Sequence, residues 1–144
     1  MNRRVVITGI GVVSAVGNDT DAFWASLVAG RSGIGPITKV DVSAMRFRNA
    51  AEVTGFDASQ HFEEKELMWL DPFAHYGIVT ARQALADSGV ELTPELRGMT
   101  GVITGSCLGG KTTEDELFYK LYAQGQMRHQ PIAIPRAMAN SVAS

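Results

Sequence analysis

The stretch Gly101–Thr112, GVITGSCLGGKT, decides how the rest of the chain is read. Val102, Ile103 and Thr104 are β-branched, which suits a strand, and Gly105–Thr112 fits the phosphate-cradling pattern G-x-x-x-x-G-K-[ST] at every fixed position. In such a loop the backbone N–H groups and the lysine surround the phosphates while the Ser/Thr hydroxyl holds magnesium. Lys111 and Thr112 would take those roles. A site of this kind also needs an acidic residue at the end of another apolar strand to hold the metal. No such strand follows Thr112, and the upstream runs VVITG and AEVTG end in glycine. The competing reading gives Gly105, Gly109 and Gly110 a backbone task, a sharp turn or the close approach of another element, with Lys111 solvated at the rim. Both readings stay open at the level of the motif.

Outward from that loop, the chain alternates apolar runs with helical periods. Arg4–Val13, RVVITGIGVV, is β-branched and apolar on both faces, as expected of an interior strand. Its GIG resembles a dinucleotide fingerprint, but Ser14 stands where G-x-G-x-x-G needs its third glycine. Asp19 or Thr20 caps a helix through DAFWASLVAG, which Gly30 stops. Gly30–Met45 reads as loop and Ala50–Phe56 as a short strand. Asp71, with Pro72 at the first helical position, opens a long helix closing at Gly89. Along it Phe73, Tyr76, Thr80, Ala84 and Asp87 form one row, and the small Gly77, Ala81 and Ala84 admit a close neighbour, so much of its surface should be buried. After the polar break VELTPELRGM, Thr112 or Thr113 caps EDELFYKLYAQG, whose first turn is acidic. The tail IPRAMANSVAS reads as helix after Pro135, still open at Ser144. The alternation β-α-β-α-β-α predicts an α/β fold in one domain.

Composition narrows the function classes. The 144 residues are 45% hydrophobic with a formal net charge of −2, so there is no basic footprint for nucleic acid or an anionic membrane surface. No apolar run reaches the ~18 residues that span a bilayer, and the opening MNRRVVITGIGVV lacks a signal-peptide cleavage site, which together point to the cytoplasm. The single cysteine, Cys107, rules out an internal disulfide, and it forms no zinc spacing with the three histidines. No metal and no cofactor are expected.

Read in order, RRVVITGIGVVSAVGND, FWASLVAGRSGI, LDPFAHYGIVTARQALADSG and GVITGSCLGG resemble the N-terminal part of the β-ketoacyl-acyl carrier protein synthases, most closely the type II elongating condensing enzymes. The resemblance covers essentially the whole chain. It implies a thiolase-like layered α/β/α/β/α fold, of which residues 1–144 are most of the N-terminal half, incomplete at the C-terminus. It implies a homodimer whose partner is acyl carrier protein and whose substrates are acyl thioesters.

In that family a cysteine thiolate takes the acyl chain and a histidine pair assists decarboxylation of malonyl-acyl carrier protein. By the family pattern that cysteine lies beyond the helix beginning RAMANSVAS, so these residues alone should be inactive. Cys107 falls where the family has a small residue in a turn, and His61, His75 and His129 match neither paired histidine. Leu108 matches an apolar gate of the acyl pocket. Ile132 and Ala133 match a segment that reaches the partner subunit's pocket, where the family commonly carries a bulky aromatic. The resemblance also admits a non-catalytic, chain-length-determining partner of the same fold. A fragment with unfinished sheets would expose strand edges and tend to aggregate.

Overall fold

A computed structural model describes residues 4–143; Met1–Arg3 of the opening stretch and Ser144 of the tail lie outside them. The chain divides into two compact units, residues 1–57 with 80–89, and residues 58–79 with 90–144.

In the first unit, helix α1 (Thr20–Val28) starts as the sequence predicts: Asp19 Oδ1 accepts from the Ala22 N–H at 2.7 Å, and Gly30 closes the helix at φ 63°. Two short strands follow, β1 (Ile34–Pro36) and β2 (Asn49–Ala51), paired antiparallel with Ile34 opposite Ala51. β1 lies inside Gly30–Met45, which the sequence reads as loop, because three residues are too few to show a period. β2 shortens the strand expected over Ala50–Phe56 to the part that faces β1. Beyond the ladder the Glu52 side chain accepts from Thr38 N at 3.1 Å, Thr38 Oγ1 at 2.6 Å and Lys39 N at 3.2 Å, which ties the pair together.

The interior strand expected at Arg4–Val13 does not form. A strand takes its hydrogen bonds from neighbouring strands, and among the described residues β1 and β2 form the only named sheet. Val5 is 95% exposed. The segment is fastened instead to helix α3 (Pro72–Ser88): Ile10 N donates to Asp87 Oδ2 at 2.9 Å and Val12 N to Gln83 Oε1 at 2.8 Å. Gln83 Nε2 in turn donates to Asn18 O at 2.8 Å. A side chain at Gly9 would strike the Ala84 carbonyl, and one at Gly11 the Thr80 carbonyl. The GIG sequence therefore serves a close approach of backbone to helix.

In the second unit, α3 begins at Pro72 as predicted, with Asp71 Oδ1 accepting from Phe73 N at 3.3 Å. Gly89, φ 62°, follows its last residue. Burial along α3 is narrower than the row of spacings suggests: Ala74 and Val79 are buried, while Ala81 and Asp87 are exposed. Gly77 does admit a neighbour, since a Cβ there would lie 2.8 Å from Val142 Cγ1.

Two short helices went unread in the sequence, α2 (Glu64–Trp69) and α4 (Pro94–Met99), the latter capped by Thr93, whose Oγ1 accepts from Leu96 N at 3.3 Å. Helix α5 (Lys111–Phe118) starts earlier than Thr112 or Thr113 would allow as caps, with Gly110 at the cap, and widens into a π-turn at Tyr119–Ala123. Helix α6 (Ala133–Ala137) contains Pro135 within its first turn, where a missing N–H is tolerated, so the helix begins before the proline and not after it. A 3₁₀ turn at Ser141–Ala143 follows. Residues 101–106, where the sequence suits a strand, form no helix or strand, and Ile103 is 98% exposed.

Candidate functional site

The glycine turn ahead of α5 has already used the N–H groups that a phosphate would need. Gly109 N donates to Ser106 Oγ at 2.8 Å, Gly110 N to the Ala137 carbonyl at 3.0 Å and Lys111 N to the Gly109 carbonyl at 2.9 Å. Thr113 N and Thr113 Oγ1 both donate to Asp71 Oδ2, at 2.8 and 2.7 Å. A cradle works only while its N–H groups point at a vacant concavity. Here α6 fills that place: a Cβ at Gly109 would lie 2.8 Å from the Ala137 carbonyl oxygen, and one at Gly110 2.7 Å from the Ala137 Cα. Gly109 also requires its φ of 64°.

Lys111 turns toward its own helix, 3.4 Å from Glu114 Oε2 and 3.3 Å from Asp115 Oδ1. The hydrogen bond and charge of Asp115, then Glu114, hold its pKa above the ordinary lysine value. The nucleotide-binding alternative for Gly105–Thr112 is thereby overturned: Gly109 and Gly110 let α6 approach, while a Cβ at Gly105 would meet nothing within 4 Å.

Asp71 is the anchor of this arrangement. It is 1% exposed, and its two carboxylate oxygens are divided between the start of α3 and the start of α5. The sequence marks Asp71 only as a helix cap; the cap signal is local, and the bond to Thr113, 42 residues away, leaves no mark in the pattern. Thr113, buried beside it, likewise carries only a cap signal in the sequence.

Leu108 stands on this turn, 64% exposed. Ile132 and Ala133, at the entry of α6, are half-buried and share the wall of a cavity of about 220 Å³ with Thr113, Leu117, Lys120 and Arg136. Ile132 and Ala133 are neighbours in the sequence and line this one wall together. Leu108 does not line that cavity and is connected to α6 through Gly109 and Gly110, which pack on its C-terminal end.

Cys107 is exposed on the same turn. His61 and His129 are exposed. His75 is half-buried, its ring 5.1 Å from that of Phe62, and its Nε2 is buried with no hydrogen-bond partner. Burial pushes the His75 pKa below the ordinary histidine value; Asp71 opposes the shift and Arg136 adds to it. Among the described residues no group of three or more His, Cys, Asp or Glu could hold a metal ion, and no helix is long and apolar enough to cross a membrane.

A family model described as the β-ketoacyl synthase N-terminal domain matches residues 2–144. The chain is 39% identical over 138 residues to the 3-oxoacyl-[acyl-carrier-protein] synthase 2 of Coxiella burnetii, covering 96% of this chain and 33% of that protein. It is 38% identical over 141 residues to the enzyme of the same name from Vibrio cholerae, covering 98% and 34%. Among solved structures, the ishigamide ketosynthase/chain length factor superposes at a TM-score of 0.83 with 28% identity, over 99% of this chain and 36% of that one. A β-ketoacyl synthase from Burkholderia phymatum superposes at 0.77 with 27% identity, over 99% and 35%. The chain therefore spans about one third of the length of the curated relatives it matches, and its fold is the thiolase-type α/β fold of those structures.

Proposed function

The chain belongs to the β-ketoacyl synthase family, whose N-terminal domain it matches along nearly its whole length, and from that premise we propose that it is part of a condensing enzyme. The reaction is a decarboxylative Claisen condensation. A cysteine thiolate attacks an acyl-carrier protein thioester and the carrier thiol leaves; malonyl-carrier protein then loses carbon dioxide, and its enolate attacks the acyl-cysteine carbonyl, releasing the thiolate. A thiolate suits both steps, as a nucleophile and as a leaving group.

The observation that carries the reading is the seating of Gly109 and Gly110 on α6, which makes them a backbone shelf beside Leu108 and leaves no phosphate cradle. On that shelf Leu108 gates the acyl pocket, and Ile132 and Ala133 face the acyl chain across a homodimer interface. The nucleophile and the histidine pair lie outside residues 1–144, and Cys107 is not the nucleophile. Residues 1–144 make up most of the first half of a layered α/β/α/β/α architecture and do not condense by themselves. Acyl carrier protein is the partner and the cytoplasm the location.

Incubating the complete protein with acyl- and malonyl-carrier protein should give carbon dioxide and a β-ketoacyl thioester, with peptide mapping by mass spectrometry placing the acyl adduct outside residues 1–144. Acylation of Cys107, or turnover by residues 1–144 alone, refutes the assignment. A second reading is favoured by the likeness to the ishigamide ketosynthase/chain length factor: a non-catalytic partner that shapes the acyl pocket. In that case the complete protein forms no acyl adduct and alters product length only alongside an active subunit.

A further inference from the structure

We propose that the cavity between α5 and α6 binds a compact oxyanion, a carboxylate or a phosphate group, held by Arg136 and Lys120. This site does not rest on the condensing-enzyme reading, because its evidence is charge and unmet hydrogen bonding inside the second unit.

The polar side of the cavity wall carries Lys120, His129 and Arg136, and Glu116 is the one carboxylate there. Lys111 is the cation whose ion pairs the structure shows; neither Lys120 nor Arg136 has a carboxylate within salt-bridge reach among the described residues. The Arg136 Nε is buried and has no hydrogen-bond partner. Asp71, the fully buried carboxylate of this unit, gives its oxygens to Thr113 and Phe73, so it does not supply the missing acceptor.

A buried donor with no acceptor is unfavourable, and a guanidinium in particular is matched by the paired oxygens of a carboxylate or phosphate. At about 220 Å³ the cavity is several times the roughly 30 Å³ share of one water molecule, so an oxyanion fits beside Arg136 and Lys120 with room to spare. The π-turn at Tyr119–Ala123 carries Lys120, and the Gln126 N–H bonded to the Lys120 carbonyl at 2.9 Å fixes the loop that follows. Single π-turns recur at binding sites because they re-aim one side chain out of helical register.

The test is a titration of the complete protein with inorganic phosphate and, separately, with acetate, against sodium chloride at equal ionic strength. Binding is read from the His75 imidazole resonances by NMR. Arg136 is one of the charges that depress the His75 pKa, so an anion on Arg136 raises that pKa. A saturable rise with a Kd of about 1 mM or tighter is expected for one of the two anions. Saturation by phosphate alone assigns a phosphate ester, and by acetate alone a carboxylate. Arg136→Gln and, as an independent variant, Lys120→Gln should each weaken binding about tenfold, with Lys65→Gln on α2 unchanged. The absence of saturation by either anion, an effect reproduced by chloride, or equal binding by all three variants overturns the proposal.

Discussion

Replacing Asp71 tests whether one buried carboxylate joins the start of α3 to the start of α5. Asp71→Ala deletes the acceptor of Thr113 N and Thr113 Oγ1 and of Phe73 N. Thr113 is 2% exposed, so water cannot replace the lost partner without opening the structure. A buried N–H left unsatisfied costs about 1–3 kcal/mol, and hydrogen bonds to a charged group contribute about 1.5–3 kcal/mol. Loss of a cap removes roughly 1 kcal/mol more. Because these contributions overlap, a loss of about 3–5 kcal/mol is expected.

Asp71→Asn keeps an acceptor of similar shape and should lose less, about 1–2 kcal/mol. Thr113→Val removes the hydroxyl but not the N–H and should also lose about 1–2 kcal/mol. Equilibrium urea denaturation followed by tryptophan fluorescence reports on the region directly, since Trp69 lies two residues before Asp71. In a double-mutant cycle, Asp71→Ala and Thr113→Val should together cost less than their sum. Strict additivity, or a change below about 0.5 kcal/mol for Asp71→Ala, refutes the linkage.

Gly110→Ala should destabilise by about 1–3 kcal/mol, because its Cβ meets the Arg136 carbonyl and the Ala137 Cα, whereas Gly35→Ala, which meets nothing, should show no loss in the same denaturation assay. The depressed pKa of His75 makes stability fall as pH drops from its unfolded value near 6.5 toward its lower folded value, as the unfolded chain binds a proton the folded one resists. His75→Gln should flatten that part of the stability–pH curve. In the complete protein Ala133→Phe should shorten the longest acyl chain accepted, read from the product-length distribution. Cys107→Ser should retain condensation within about twofold, a difference of about 0.4 kcal/mol in the barrier.

What the sequence reveals well is local. Asp19, Gly30, Pro72 and Gly89 mark helix ends through their own backbone and side-chain preferences, and the structure puts helix ends at those places. The helices α2 and α4 are six residues each, shorter than two turns, and no apolar period can establish itself over that length. The run RVVITGIGVV has the composition of an interior strand, yet a ladder is a property of neighbours, and composition does not report whether they are present. For the glycine turn, pattern alone left two functions standing. The choice came from where the N–H groups of Gly109, Gly110 and Thr113 point, and those partners lie 3, 27 and 42 residues away, the last two out of reach of any motif. Leu108, Ile132 and Ala133 came from family likeness; the cavity bearing Arg136 and Lys120 had no signature in either.

The attachment of Ile10 and Val12 to Asp87 and Gln83 sets two rulers side by side. Alternate residues of an extended chain repeat at about 6.6 Å, while residues four apart on a helix repeat at about 6.0 Å, so both bonds close together with little distortion. Slide the segment by one position and both amides swing to the opposite side, and the two side chains bulkier than hydrogen that replace Gly9 and Gly11 would wedge into the helix carbonyls. Spacing between Gly9 and Val12 is thus quantised: an exchange of one aliphatic side chain for another leaves both amide bonds in place, whereas an added or deleted residue breaks them.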